Sequence, residues 1–439
     1  MENNRTSLLI RNTIASFVLK GWSAIVVLTM VPLTLKMLGV YNNGVWLTIS
    51  SILMWVNLLD IGLGNGLRNS VAKYVALNDP VKVRQAISST FFMLSIVTIP
   101  IVCLSGLFLW NADIYELLNI DKVLVPNLRT VLIVAIIFTA NTFILKAVGN
   151  FYMGMQLPAV NNLIVCIGQT LSLLITYLAY YTGNRSLLTV VIINTSAPLL
   201  AWCLSLPYTF GYKYTQYKPH FRYIDLNLSK KLCSVGMQFF FIQICGLILF
   251  SSSNIIISKM FSPADVTPYQ IACRYFNIAF IIFSTICMPF WNATTDAFAR
   301  NDYSWITKNL RILDLLSLGT IVLLCLMIAL SDYVYVLWIG DEPKISLNLS
   351  ISVAAYIAIL TISQRYSIIL NGLNIIKIQM VFTGIATIIF LPLAWIACKS
   401  FTSVESLVWV MCFVNIPGLF ANMWKYYRII PKAQTSIKQ

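Results

Sequence analysis

Lys20, Asp60, Arg68, Arg274 and Arg365 are charged side chains set within, or at the ends of, long apolar runs. A charge at mid-bilayer costs about 2.5–3.5 kcal/mol even on a lenient insertion scale, so each needs a partner or a ligand. Cations in such places can hold an anion, and a carboxylate there can take up a proton or a sodium ion. Asn65 and Asn292 open two matching polar segments and join the cations as candidate substrate contacts. Covalent chemistry has no comparable foothold. The single histidine, His220, lies in a polar loop, and the ten cysteines are scattered without a CxxC pair. They read as small apolar residues and not as disulfides or a metal site. No GxxxxGK[ST] phosphate loop is present, so ATP hydrolysis, a cofactor and a metal are not expected.

The elements that carry these residues follow from composition. Of 439 residues, 59% are hydrophobic and 10% charged, where a soluble chain has about a quarter charged. Stretches of twenty or more apolar residues recur from end to end, each long enough to cross about 30 Å as a helix. Twelve are expected, near 12–38, 44–67, 85–110, 124–149, 159–182, 187–210, 232–258, 270–296, 311–330, 346–370, 377–398 and 404–427. The expected fold is an all-α polytopic membrane protein. The first stretch lacks a small-residue cleavage site and reads as a retained helix, not a signal. The net charge of +15 could suggest nucleic acid, but its distribution argues for a membrane. With the N-terminus in the cytoplasm, only Lys36, Lys122, Arg129, Arg185, Lys259, Lys344 and Lys399 fall in outer loops. That bias orients the chain and puts both termini in the cytoplasm.

The longest loop, residues 211–231, is basic and cytoplasmic. It separates an N-terminal six-helix bundle (1–210) from a C-terminal one (232–439). Three short segments repeat in the same order. "LKMLGVYNNGVWL" (35–47) is answered by "SKMFSPADVTPYQIA" (258–272), "NGLRNSVAK" (65–73) by "NATTDAFAR" (292–300), and "MGMQL" (153–157) by "NGLNI" (371–375). Two like-oriented bundles around a central cavity are the transporter arrangement this predicts.

Helical phase, at 100° per residue, assigns faces. Asn57, Asp60, Gly64 and Arg68 share an arc, Gly62 and Gly66 form a close-packing stripe, and Leu59, Leu63 and Leu67 point toward lipid. In the eighth stretch Arg274, Asn277, Thr285, Asn292 and Asp296 align; in the first, Thr13, Ser16, Lys20, Ser23 and Thr34; in the tenth, Thr361 and Arg365. Lys20 and Asp60 lie at similar depths, about 13 and 10 Å from the cytoplasmic edge. A structural ion pair between them is the competing reading. Snorkelling competes for Arg274 and Arg365. Three intramembrane cations against one clear anion leave a positive surplus suited to an anionic cargo.

"WVNLLDIGLGNGLRN" (55–69), preceded by "VPLTLKMLGVYNNGVWLTISSIL" (31–53), resembles the second-helix region of bacterial polysaccharide flippases. These are the O-antigen-type exporters of the multidrug/oligosaccharidyl-lipid/polysaccharide superfamily. The resemblance implies transport of an undecaprenyl-pyrophosphate-linked oligosaccharide from the cytoplasmic to the periplasmic leaflet of the inner membrane. It also implies a cation-lined cavity, to which Lys20 and Arg274 correspond by position. Arg68 and Arg365 join them by predicted facing, and Asp60 is the candidate for proton or sodium coupling. A polysaccharide polymerase is an expected partner. Two rivals remain: a multidrug or small-solute cation antiporter of the same superfamily, and a membrane-embedded polymerase or glycosyltransferase. The antiporter is disfavoured by the lack of clustered acidic residues within the helices. The enzyme is disfavoured by short outer loops, of which 331–345 is among the longest.

Overall fold

Backbone groups in hydrocarbon find no water, so an apolar run must satisfy its own hydrogen bonds, and a helix does so within one segment. The computed structural model describes the backbone of residues 2–58, 63–299, 302–373, 375 and 377–437. Side chains are described there except at 2–13, 17, 56–58, 65, 76, 226–227, 229–243, 288–289, 291–293, 295–296, 298–299, 303 and 430–437. Every regular element among the described residues is helical.

The chain divides into two compact units, Met1–Ile244 and Cys245–Gln439. The first contains α1 (Glu2–Leu58), α2 (Leu63–Ala76), α3 (Pro80–Asn111), α4 (Ile114–Leu118), α5 (Leu128–Leu145), α6 (Ala147–Gly154), α7 (Pro158–Tyr181) and α8 (Leu187–Pro207). Next, α9 (Leu226–Met260) crosses the boundary. The second unit continues with α10 (Pro263–Ala299), α11 (Tyr303–Ala329), α12 (Ser331–Ile339), α13 (Leu347–Gly372), α14 (Lys377–Phe401) and α15 (Val404–Ile437).

Helix starts follow local chemistry. Asp79, Ser186, Asp302 and Ser346 each accept a backbone N–H of the first turn of α3, α8, α11 and α13, which satisfies a donor the helix leaves open. Within the helices, hydroxyls fold back onto carbonyls one turn earlier, as Thr48 does onto Gly44, Thr90 onto Ala86 and Thr361 onto Ile357. That satisfies a buried hydroxyl without a partner from another helix.

Ten described segments are long and apolar enough to cross a membrane. The first, Ile14–Trp55, carries two of the twelve expected spans, because Gly39 breaks α1 with φ at 72°. Glycine takes that conformation without the clash a Cβ would cause. The seventh expected span falls in α9, whose side chains are described only in part. Large apolar side chains such as Val18, Leu104, Leu204 and Ile388 remain exposed on these helices, as hydrocarbon permits.

Two expectations change. Leu63 and Leu67 do not face lipid. Both are fully buried with Val71 in a cluster that includes Val83, Ala86, Ile87, Phe151 and Tyr152. Their helix, α2, packs against α3 and α6, so its apolar face meets protein. Helical phase separates faces but does not say which one has a neighbour. The 331–345 segment is not all loop: Ser331–Ile339 forms α12, with Tyr335 buried and bonded to Ser350 at 3.1 Å. Within the basic 211–231 segment, residues up to 225 dock on α3. There Arg84 donates to the Lys218 carbonyl at 2.7 Å and lies over the Tyr223 ring, and Ser89 bonds the Asp225 backbone at both N–H and C=O.

The sequence repeat has a structural counterpart within each unit. The first matched pair falls on a helix break in both: Gly39 in α1, and residues 261–262 between α9 and α10. After α6, Leu157 N–H bonds the Tyr152 carbonyl at 2.9 Å; after α13, Ile375 N–H bonds the Leu370 carbonyl at 2.8 Å. The two turns lie 218 residues apart at both donor (375 − 157) and acceptor (370 − 152).

Candidate functional site

Each candidate cation is positioned by one of the helices described above. Lys20, on the first leg of α1, is exposed and makes no hydrogen bond or ion pair among the described residues. Arg68, on α2, is also exposed, while its carbonyl lies against Gly154 of α6. A Cβ at Gly154 would stand 2.7 Å from that carbonyl and from Val71, so a glycine lets α2 and α6 approach. Asp60, and with it any Lys20–Asp60 pair, lies outside the described residues, as do the side chains of Asn65 and Asn292.

Arg274, on α10, is half-buried and has no hydrogen-bond or ion-pair partner among the described residues. Its neighbours on the helix, Tyr275 and Phe276, are buried and stack edge to face, with Tyr275 donating to the Met327 carbonyl. The flanking aromatic residues therefore anchor the backbone that carries the guanidinium.

Arg365, on α13, has partners at both terminal nitrogens instead, while its Nε is buried without one. One terminal nitrogen donates to Asp314 Oδ1 of α11 at 2.7 Å and to Ser317 Oγ at 3.3 Å; the other donates to the Tyr366 hydroxyl at 3.2 Å. The Tyr366 ring lies 4.8 Å from the guanidinium. Asp314 is an anion that the tally of intramembrane charges omits. A signal for it was present: Asp314 and Arg365 sit at matching depths from the cytoplasmic ends of consecutive expected spans.

A further cation escaped the sequence reading. The fourth apolar stretch is expected to end at 149, which puts Lys146 at its edge. The span instead runs through α5 and α6 to Gly154, with Lys146 at the turn between the two helices, eight residues from that end, about 12 Å inside. The 218-residue offset places Lys146 opposite Gln364, beside Arg365.

Lys146 stands between two cavities of the N-terminal unit, about 320 and 290 Å³ in volume, which share Lys146, Val165 and Trp202. The larger is also lined by Trp46, Ser50, Gln169 and Asn194; the smaller by Asn150 and Asn161. Asn194 is engaged, donating to the Val190 carbonyl and accepting from Ser172. Gln169 is not: its Oε1 is buried without a hydrogen-bond partner. Gly149 creates room beside them, because a Cβ there would collide with the Asn161 side chain and stand 2.7 Å from the Trp202 ring. No group of three or more His, Cys, Asp or Glu that could hold a metal occurs among the described residues.

This combination of intramembrane cations, amide-lined cavities and paired units has relatives. A family model described as "Polysaccharide biosynthesis protein" matches residues 9–291. Two curated proteins named "Putative O-antigen transporter" are similar along most of their length. The one from Salmonella typhi is 23% identical over 359 residues, 80% of each chain. The one from Salmonella typhimurium strain LT2 is 19% identical over 374 residues, 82% of this chain and 83% of the relative. Among solved structures, an inward-facing multidrug resistance MATE family transporter of the MOP superfamily aligns with a TM-score of 0.79, at 13% identity and covering 93% of this chain and 96% of its own. A MATE structure in the straight conformation aligns at 0.65, with 12% identity over 97% and 96%. At such identities the likeness shows the fold, that of the MATE transporters.

Proposed function

Because the chain belongs to the polysaccharide biosynthesis protein family, we propose that this multi-pass membrane transporter is a flippase for undecaprenyl-pyrophosphate-linked oligosaccharide. It carries an O-antigen, capsule or exopolysaccharide repeat unit from the cytoplasmic to the periplasmic leaflet of the inner membrane. The observation that carries the reading is Arg274, a cation within a membrane-spanning helix that no described residue neutralises. A cation within the bilayer without a counter-charge is costly, and an anionic headgroup offsets that cost while it is bound. The similarity to O-antigen transporters along four-fifths of the chain supports the same cargo.

The mechanism is alternating access. Lys20 and Arg68 of the N-terminal unit receive the pyrophosphate from the cytoplasmic side, with Asn65, Asn292 and Arg365 as further contacts. Arg274 then draws it outward, and the polyprenyl tail stays in lipid. Arg365 is held by Asp314 at rest, so its engagement requires exchange of one anion for another. Membrane potential favours the step by about 2.3 kcal/mol per negative charge per 100 mV, because the headgroup leaves a negative interior. Proton or sodium counter-flux through Asp60 is the alternative drive. A polysaccharide polymerase then takes up the delivered repeat unit.

The test is export of lipid-linked oligosaccharide by Lys20→Ala and Arg274→Ala at normal protein level. Each is expected to lose at least tenfold in rate, about 1.4 kcal/mol of lost interaction. Undiminished export in both variants overturns the reading, and efflux of cationic dyes in place of oligosaccharide export would favour the antiporter.

A further inference from the structure

The N-terminal unit contains a cation and two cavities to which the pathway of Lys20, Arg68, Arg274 and Arg365 gives no role. Its two adjoining cavities, about 320 and 290 Å³, fall near the lower end of the range that holds small molecules. All their lining residues belong to one unit. A close-packed core would fill such a space, and the buried Gln169 Oε1 on its wall has no hydrogen-bond partner.

Three kinds of group meet there. Lys146 stands at the junction, a point charge with three donors suited to phosphoryl oxygen. Gln169 and Asn161 present side-chain amides, and Gln169 keeps a buried terminal atom without a partner. An amide read in either orientation offers that position as donor or acceptor, which suits a hydroxyl, itself both. Trp202 lies in both cavities and Trp46 in the larger, rigid aromatic surfaces on which the C–H face of a sugar ring can rest. Gly149 completes the shape, since any side chain there would push Asn161 and Trp202 into the space.

We infer that the paired cavities around Lys146 form a glycosyl-phosphate subsite: Lys146 takes a phosphoryl oxygen, Gln169 and Asn161 take ring hydroxyls, and Trp202 takes the ring face. This rests on the flippase reading, and it assigns recognition of the first sugar next to the phosphate to the N-terminal unit alone. A free anion uses only Lys146, and a neutral sugar only the amides and the tryptophan. The conjugate uses both and binds more tightly than either.

The test uses the purified full-length protein, with binding read by calorimetry. The probes are glucose 1-phosphate, galactose 1-phosphate and N-acetylglucosamine 1-phosphate, each beside its parent sugar and inorganic phosphate. At least one sugar phosphate is expected to bind tenfold or more tightly than its parent sugar and than phosphate. Lys146→Gln is expected to weaken it at least tenfold, Lys146→Arg to keep it within threefold, and Gln169→Leu to weaken it several-fold. Should Lys146→Gln not fold, the other two variants decide. Absence of binding by all three sugar phosphates, equal binding of inorganic phosphate, or indifference to Lys146 and Gln169 overturns the subsite. Export in cells separates the two levels. If export depends on Lys20 and Arg274 but is unaffected in Lys146→Gln and Gln169→Leu, the subsite falls and the flippase stands. If the wild-type chain exports no lipid-linked oligosaccharide, the flippase reading itself falls.

Discussion

Arg365 and Asp314 sit 2.7 Å apart with the arginine side chain 19% exposed and the aspartate 42%. Partial exposure screens the pair, so its coupling should be modest, about 0.5–1 kcal/mol. A double-mutant cycle with Arg365→Gln and Asp314→Asn, read by thermal unfolding in detergent, should return that coupling; additivity would show the contact to be incidental. Steric limits are sharper at the glycines. Gly154→Ala drives a Cβ against a backbone carbonyl that cannot rotate away, and a cost of about 1–3 kcal/mol is expected. Gly21→Ala, with nothing within 4 Å, serves as the unaffected control. Residue types alone pointed to Arg365 as a charge needing a partner. They did not point to Asp314, because the partner is 51 residues away and only helix packing brings it near.

At the scale of elements, α3 and the segment after α8 hold each other through few contacts. Ser89 closes both a donor and an acceptor of Asp225, and Ser88 accepts the His220 N–H. Ser89→Ala leaves two backbone groups to find water, which an exposed segment can do. Its expected effect is therefore local opening, read as faster proteolysis within 211–225, and not global unfolding. The helix caps carry a pH signature. Asp302 is held below its ordinary pKa of 3.8, first by the Trp305 N–H and then by the Ser304 hydroxyl. A lowered carboxylate contributes stability that is full above the unfolded value and is lost as pH falls through the folded one. Thermal stability should decline below about pH 4, and Asp302→Asn, which still accepts the N–H but does not titrate there, should show a shallower decline. The caps were readable from local spacing, as were the spans. The docking of 211–225 was not, since charge and polarity describe a loop equally well whether it is free or bound.

For the whole molecule, transport driven by charge should follow the membrane potential. In proteoliposomes, an imposed potential that is negative on the donor side should raise transfer of the anionic cargo, and collapsing it with a potassium ionophore should remove the gain. Dependence on a proton or sodium gradient, lost in Asp60→Asn, would instead assign the drive to counter-flux. Much of this protein is written in its sequence. Length, apolar periodicity and the basic bias of alternate loops determine a polytopic helical membrane protein, because hydrocarbon leaves the backbone few other choices. The recurrent segments near 35, 153, 258 and 371 predict two like halves, and the structure has a helix break and a matching turn at those places in each unit. Only tertiary packing decided the rest. It buried Leu63 and Leu67 instead of exposing them, gave Arg365 its carboxylate, and carried the fourth span past 149 so that Lys146 lines two adjoining cavities well within it. The physical reason is the solvent: lipid and protein interior are both apolar, so hydrophobicity tells a helix to leave water but not which face will meet lipid and which will meet another helix.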